Sequence, residues 1–170
     1  VLLLAFFLML LFFWLLAAYY IAVVLFSLIT KPLPPPRNST SKWPEVAVLY
    51  LTCNDFQAKA VSSCLNQKYP KFHVFLLDDS HNDEYRTAVD KFHAAHPEQT
   101  TIVRRPTRQG YKAGNMNYAL QGVASNYSFF AVVDADEILP EDFLIQTMMY
   151  MKDSDLAFVQ ANHAPNQEQD

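Results

Sequence analysis

Apolar residues fall along the chain in three regimes, and each predicts a different kind of structure. From Val1 to Ile29 the sequence is almost unbroken Val, Leu, Ile, Phe, Ala, Met, Trp and Tyr. That run exceeds the ~20 apolar residues that cross a bilayer core. A transmembrane helix over residues 1–30 is predicted, tilted or continuing a little way outside the ~30 Å hydrocarbon layer. A secretory signal would carry a shorter apolar run, roughly 7–15 residues, ahead of a small-residue cleavage site; Thr30-Lys31-Pro32 follows here instead. Residues 31–44, KPLPPPRNSTSKWP, have no periodicity and read as a Pro-rich, semi-rigid linker.

From residue 45 onward, short apolar runs alternate with amphipathic stretches. VAVLYL (46–51), FHVFLL (72–77), TTIV (100–103), SFFAVV (128–133) and LAFVQ (156–160) are predicted strands. Between them, helices are predicted from about Phe56 to Gln67 behind an Asn54-Asp55 cap, over DEYRTAVDKFHAAH, from near Ala113, and over EDFLIQTMMYMK. Such alternation with short connections predicts a doubly wound, mostly parallel α/β sheet, in which ligands collect at the carboxyl ends of the strands. The chain stops at Asp170 in polar residues, and a sheet cut within a larger protein is expected.

Charge adds orientation. No charged side chain precedes Lys31, and Lys31, Arg37 and Lys42 follow the apolar run before the first acidic residue, Glu45. By the positive-inside tendency this places the C-terminal part in the cytoplasm, at a plasma or inner membrane. The formal net charge of -4 argues against a nucleic-acid partner. Cys53 and Cys64 stand without a CxxC or Cys/His grouping and read as two free thiols. The five histidines show no ligand spacing, and the methionines at 148, 149 and 151 read as packing residues.

Polar clusters then sit where strands end: Thr52-Cys53-Asn54-Asp55, Asp78-Asp79-Ser80, and Asp134-Ala135-Asp136-Glu137. Each alone is what a turn or cap uses; together, in a doubly wound sheet, they converge on one edge. If the chain stays extended past residue 134, Asp134 and Asp136 project to one side and can approach one hard cation, while Glu137 turns away with Ala135. Mg²⁺ carried in with a diphosphate suits so open a pair. A fourth cluster, RRPTRQGYKAGNMN (104–117), places two of the chain's three glycines beside Arg104, Arg105, Arg108 and Lys112. Free N–H groups at the start of the next helix make a phosphate a natural guest there.

These segments resemble family 2 glycosyltransferases. VAVLYLTCND resembles their opening strand and its Thr-Tyr-Asn-Glu end, YPKFHVFLLDDS their second strand, GYKAGNMNYAL the Lys-Ala-Gly-Asn-Leu-Asn segment of cellulose-synthase-like, membrane-embedded members, and VVDADEILPEDFL their DxD region. The resemblance runs from about Glu45 to Gln160. It implies the GT-A fold and transfer of a sugar from a nucleotide diphosphate donor, UDP-glucose favoured, with Mg²⁺ or Mn²⁺, to a growing polysaccharide by an inverting displacement. Carried over position by position, it places Thr52, Asp55 and Asp79 around the nucleoside, Lys112 near the diphosphate, Asp134 at the donor phosphates, and Asp134 and Asp136 at the metal. Gln160 would line the donor or acceptor site. Cys53 and Asp55 depart from the family's usual Tyr and Glu. Neither the later acidic motif that supplies the general base nor Gln-x-x-Arg-Trp occurs in the chain, so the base is expected beyond Asp170, and the chain by itself is expected to bind donor without transferring sugar. A glycan acceptor and the lipid bilayer are the other implied partners. The competing readings are a non-processive transferase acting on a lipid or glycan, a catalytically silent nucleotide-sugar-binding subunit, and, more weakly, a membrane-tethered receiver domain.

Overall fold

The computed structural model describes residues 1–30, 43–151 and 156–162. Two compact units emerge, Val1–Pro35 and Pro36–Asp170.

The first unit is one helix, α1 (Leu2–Ile29), of 28 residues. With a mean hydropathy of 2.6 it is long and apolar enough to cross a membrane, since 28 residues at about 1.5 Å each span roughly 42 Å. Its polar groups near the C-terminal end are satisfied within the helix. Ser27 Oγ donates to the Val24 carbonyl at 2.8 Å and Thr30 Oγ1 to the Phe26 carbonyl at 2.9 Å.

The second unit is a parallel sheet of β1 (Val46–Thr52), β2 (Phe72–Asp78), β3 (Thr100–Val103) and β4 (Phe129–Asp134), in the order β3-β2-β1-β4. All seven residues of β1 are buried, as expected of a central strand covered on both faces, and this explains why VAVLYL is apolar without alternation. The even-numbered residues Val46, Val48 and Tyr50 pack with α2 (Ala58–Leu65), α3 (Asp83–Ala95) and α5 (Phe143–Met151). The odd-numbered Ala47, Leu49 and Leu51 pack on the other side with α4 (Tyr111–Gln121) through Ala119, Met116 and Leu120. The chain therefore winds β1 to β2 to β3 in one direction and then jumps back across β1 to place β4. That reversal is the topological switch point, where a doubly wound sheet opens a crevice beyond its carboxyl ends.

Two expectations are corrected. LAFVQ forms no strand: residues 156–162 carry no regular element, and Leu156 and Phe158 are exposed rather than paired to a sheet edge. Nor does Asn54-Asp55 cap a helix from Phe56. Asn54 takes a left-handed conformation, φ 63, and its Oδ1 accepts from the backbone N–H groups of His81 and Asn82 at 3.0 and 2.9 Å. Asp55 Oδ1 accepts from Thr52 Oγ1 at 2.8 Å and from Cys53 N–H at 2.6 Å. With both side chains tying the β1 end to itself and to the β2 end, α2 starts later, behind Gln57, without a side-chain cap.

The two thiols differ sharply. Cys64 is fully buried in the core, and burial pushes its thiol up to about 12. Cys53 is half-buried. Because the thiolate is the nucleophile, maleimide at neutral pH is expected to label Cys53 and to reach Cys64 only after unfolding; mass spectrometry of the labelled peptides checks this, and two labelled thiols in the native chain would contradict the packing described.

Candidate functional site at the switch point

A cavity of about 580 Å³ opens beyond the carboxyl ends of β1 and β4. Thr52, Asp55, Asp79, Lys112, Asp134 and Asp136 all line it. These six residues are thus brought to one place, whereas Gln160, exposed in a segment without regular structure, does not line the cavity. Cys53, Gln57, Arg108, Tyr111 and Asn115 line it as well.

The β4 end is built differently from the extended geometry expected. Glu137 N–H donates to the Asp134 carbonyl at 3.1 Å, which closes a four-residue turn. Glu137 does not drop out of the structure; its Oε2 folds back to accept from Asp134 N–H at 2.9 Å. Ala135 is buried and its carbonyl accepts from the Tyr50 hydroxyl at 3.0 Å, while that hydroxyl accepts from Gln57 N–H at 3.1 Å. Burial raises the Tyr50 phenol above its ordinary value, so it stays a protonated donor. Asp134 and Asp136 reach the same cavity because a pinned turn presents them, and not because a strand alternates.

The basic cluster is divided by the sheet. Asp78-Asp79 and Arg104-Arg105 end adjacent parallel strands, so the two acidic residues meet the two arginines in order. Arg104 Nε donates to Asp78 Oδ2 at 2.7 Å, and its Nη1 lies 2.8 Å from Asp90. Arg105 grips Asp79 with both faces of its fork, Nε to Oδ1 at 2.9 Å and Nη2 to Oδ2 at 2.5 Å. Arg104 and Arg105 are thus engaged by carboxylates, and of the four basic residues in the cluster Arg108 and Lys112 are the ones that line the cavity. Arg105 also donates to the carbonyls of Gln109 and Tyr111, at 2.5 and 2.8 Å. The loop is thereby folded over the guanidinium. Gly114 must approach that loop closely, since a Cβ there would collide with the Gln109 carbonyl and stand 2.6 Å from Arg105 Nη1. Helix α4 begins two residues earlier than expected, behind Gly110 in the left-handed region at φ 75.

Lys112 Nζ pairs with Asp134 Oδ1 across the cavity, both side chains about half exposed. Asn115, 2% exposed, donates from Nδ2 to the Leu77 carbonyl at 3.2 Å, and its Oδ1 has no partner among the described residues. The lining carries four carboxylates against two cations, and Arg105 behind Asp79 leaves it still acidic. Among the described residues no group of three or more His, Cys, Asp and Glu is placed to hold a metal. The donor set is two carboxylates, hard oxygen ligands, with a lysine ammonium already drawn to one of them. This fits a hard divalent cation that brings its remaining ligands on a bound phosphate group, and it does not fit a structural metal enclosed by protein.

A sequence profile of glycosyl transferase family 2 matches residues 46–169. The chain belongs to that family. Within it the chain is cellulose-synthase-like: it is 31% identical over 146 residues to the cellulose synthase catalytic subunit [UDP-forming] of Xanthomonas axonopodis pv. citri (strain 306), covering 82% of this chain and 19% of that protein. It is 29% identical over 138 residues to the cellulose synthase 1 catalytic subunit [UDP-forming] of Komagataeibacter xylinus, covering 78% and 17%. This family 2 chain thus spans about a fifth of the length of the curated relatives it matches. Among solved structures, a mannosyltransferase from Pyrobaculum calidifontis in complex with GDP-Man and Mn2+ superposes with a TM-score of 0.65 at 27% identity, over 82% of this chain and 42% of that one. Residues 1–349 of TarS from S. aureus match at a TM-score of 0.50 and 22% identity, over 59% of this chain and 30% of that one, a likeness of fold. The parallel α/β sheet is thus the GT-A type shared with these neighbours.

Proposed function

We propose that the cavity at the switch point is the donor site of a membrane-anchored glycosyltransferase that moves a sugar, glucose from UDP-glucose, onto a growing polysaccharide in a metal-dependent inverting reaction. The observation that carries it is the convergence of Thr52, Asp55, Asp79, Lys112, Asp134 and Asp136 on one acidic cavity, in a chain similar to proteins named as UDP-forming cellulose synthases. An acidic lining alone would repel a nucleoside diphosphate. A divalent cation reverses that sign, and when bound it would sit at Asp134 and Asp136 and neutralise charge on the departing diphosphate.

The chain's own residues have assignable work. Thr52 and Asp55, held to each other by a hydrogen bond, and Asp79, held by Arg105, form one wall for the nucleoside. Lys112 supplies a mobile ammonium to the diphosphate. An acceptor hydroxyl then attacks the anomeric carbon from the side opposite the diphosphate, its proton going to a general base that is none of these residues. Helix α1 is proposed to anchor the unit, with Lys31, Arg37 and Lys42 on the cytoplasmic side. The likeness to a mannosyltransferase complexed with GDP-Man and Mn2+ favours GDP-mannose as the second donor to test.

Titration of UDP-glucose, GDP-mannose and UDP-N-acetylglucosamine with and without Mn²⁺ or Mg²⁺ tests the assignment. Binding is expected to need the metal, and Asp136→Ala to weaken it on the order of ten-fold, because Asp134 keeps one carboxylate at the cation. Binding that is indifferent to both metal and substitution would refute the site.

A further inference from the structure

Resting on the nucleotide-sugar site proposed above, we infer that Tyr111 is the aromatic platform on which the donor's nucleobase stacks, and so a specificity-determining residue of this chain. Among the described residues that line the cavity it is the one aromatic. Tyr111 is 77% exposed, so its ring is not spent on packing in the core and is open to a ligand. The backbone beneath it is strained. Tyr111 has φ 47, directly after Gly110 at φ 75, and a bulky residue in the left-handed region persists only where its surroundings over-determine it.

Those surroundings fix the backbone that carries the ring. One nitrogen, Arg105 Nη2, donates both to Asp79 Oδ2 at 2.5 Å and to the Tyr111 carbonyl at 2.8 Å, so the residue is fastened beside the end of β2. Its N–H donates to the Arg108 carbonyl at 3.2 Å, and Arg108 Nη2 in turn donates to Cys53 Sγ at 2.9 Å. Asp79, Arg108, Cys53 and Tyr111 therefore gather at one end of the cavity. The next residue, Lys112, reaches the opposite end at Asp134. Two consecutive residues of one helix start thus bring an aromatic side chain and an ammonium into the same cavity, the first with its backbone fastened toward Asp79 and the second at Asp134. A nucleoside diphosphate has that division: a flat base at one end and anionic oxygens at the other. A phosphosugar or inorganic diphosphate offers nothing for the ring.

Calorimetric titration of UDP, GDP and inorganic diphosphate, each with Mn²⁺, into the whole chain and its Tyr111 variants decides the matter. Tyr111→Phe keeps the ring and is expected to bind within about two-fold of the parent. Tyr111→Asn keeps a residue that tolerates the left-handed backbone while removing the ring, and is expected to weaken UDP and GDP about ten-fold or more, the scale of lost base stacking, with inorganic diphosphate unchanged. Equal UDP affinity in Tyr111→Asn and parent overturns the platform and leaves the nucleotide site standing. Weakening of all three ligands alike also overturns it, since a loss blind to the base is structural. A folded parent that binds no nucleoside diphosphate at all overturns the donor site and the platform with it.

Discussion

Replacing Arg105 by alanine is expected to destabilise the second unit by about 3–5 kcal/mol, the cost of removing one partner from a buried ion pair. The side chains of Arg105 and Asp79 are 4% and 7% exposed, so solvent can reach the pair only from the cavity that Asp79 lines. Asp79 would be left with only the more distant and exposed Arg108, Nε at 3.9 Å, as counter-charge, and the carbonyls of Gln109 and Tyr111 would lose their donor. Against a total of about 5–15 kcal/mol for an ordinary domain, such a loss takes up a large part of the margin. Urea unfolding of the whole chain in detergent, followed by circular dichroism, measures it. Arg105→Lys is expected to recover only part, because a single ammonium cannot satisfy both carboxylate oxygens and two carbonyls from one fork. Exchanging both partners together, Arg105→Met with Asp79→Leu, is expected to cost less than Arg105→Ala alone, since no charge is stranded. A loss below about 1 kcal/mol for Arg105→Ala would show the fork to be ornamental.

That prediction rests on a relation only half visible in the sequence. Asp78-Asp79 and Arg104-Arg105 are plain to see as clusters, and the alternation of strands and helices is plain too, because a doubly covered parallel strand must be apolar throughout and VAVLYL is. What the sequence does not state is register. Leu77 pairs with Val103, which sets the two acidic residues directly opposite the two arginines; with a different pairing the same letters would leave a basic loop free for phosphate. The turn at Asp134 was hidden for a similar reason. Its shape depends on the buried Tyr50 hydroxyl holding the Ala135 carbonyl 85 positions along the chain, a contact that no local pattern encodes. Asn54 and Asp55 looked like cap residues and behave as loop ties, since Asx side chains serve either purpose and tertiary partners choose between them. Tyr111 carried no signal at all: its importance lies in a backbone angle, and tyrosine is among the last residues one would nominate for a positive φ.

Lys112→Ala is expected to move two affinities in opposite directions. In the ligand-free chain the Lys112 ammonium sits on Asp134 Oδ1, where the proposed cation would bind, so any metal entering alone must displace it. Both side chains are about half exposed, and an ion pair so placed contributes only about 0–1 kcal/mol. Removing it should leave folding nearly unchanged and tighten Mn²⁺ binding in the absence of nucleotide by about two- to five-fold. When a nucleoside diphosphate arrives with the metal, the ammonium gains a better partner in the phosphate oxygens, and its loss then costs binding on the order of a hundred-fold, the scale of a charged donor removed from a developing or fixed anion. Metal and donor are therefore expected to bind cooperatively in the parent chain and with less cooperativity in the variant, because the lysine passes from one anion to the other as the second ligand enters. Paramagnetic resonance of free Mn²⁺, read with and without UDP, gives both numbers. Lys112→Arg keeps the charge and should leave metal-only binding close to the parent. If Lys112→Ala weakens Mn²⁺ in the absence of nucleotide, the ammonium is not a competitor for the seat at Asp134, and the exchange of partners proposed for the switch-point cavity does not occur.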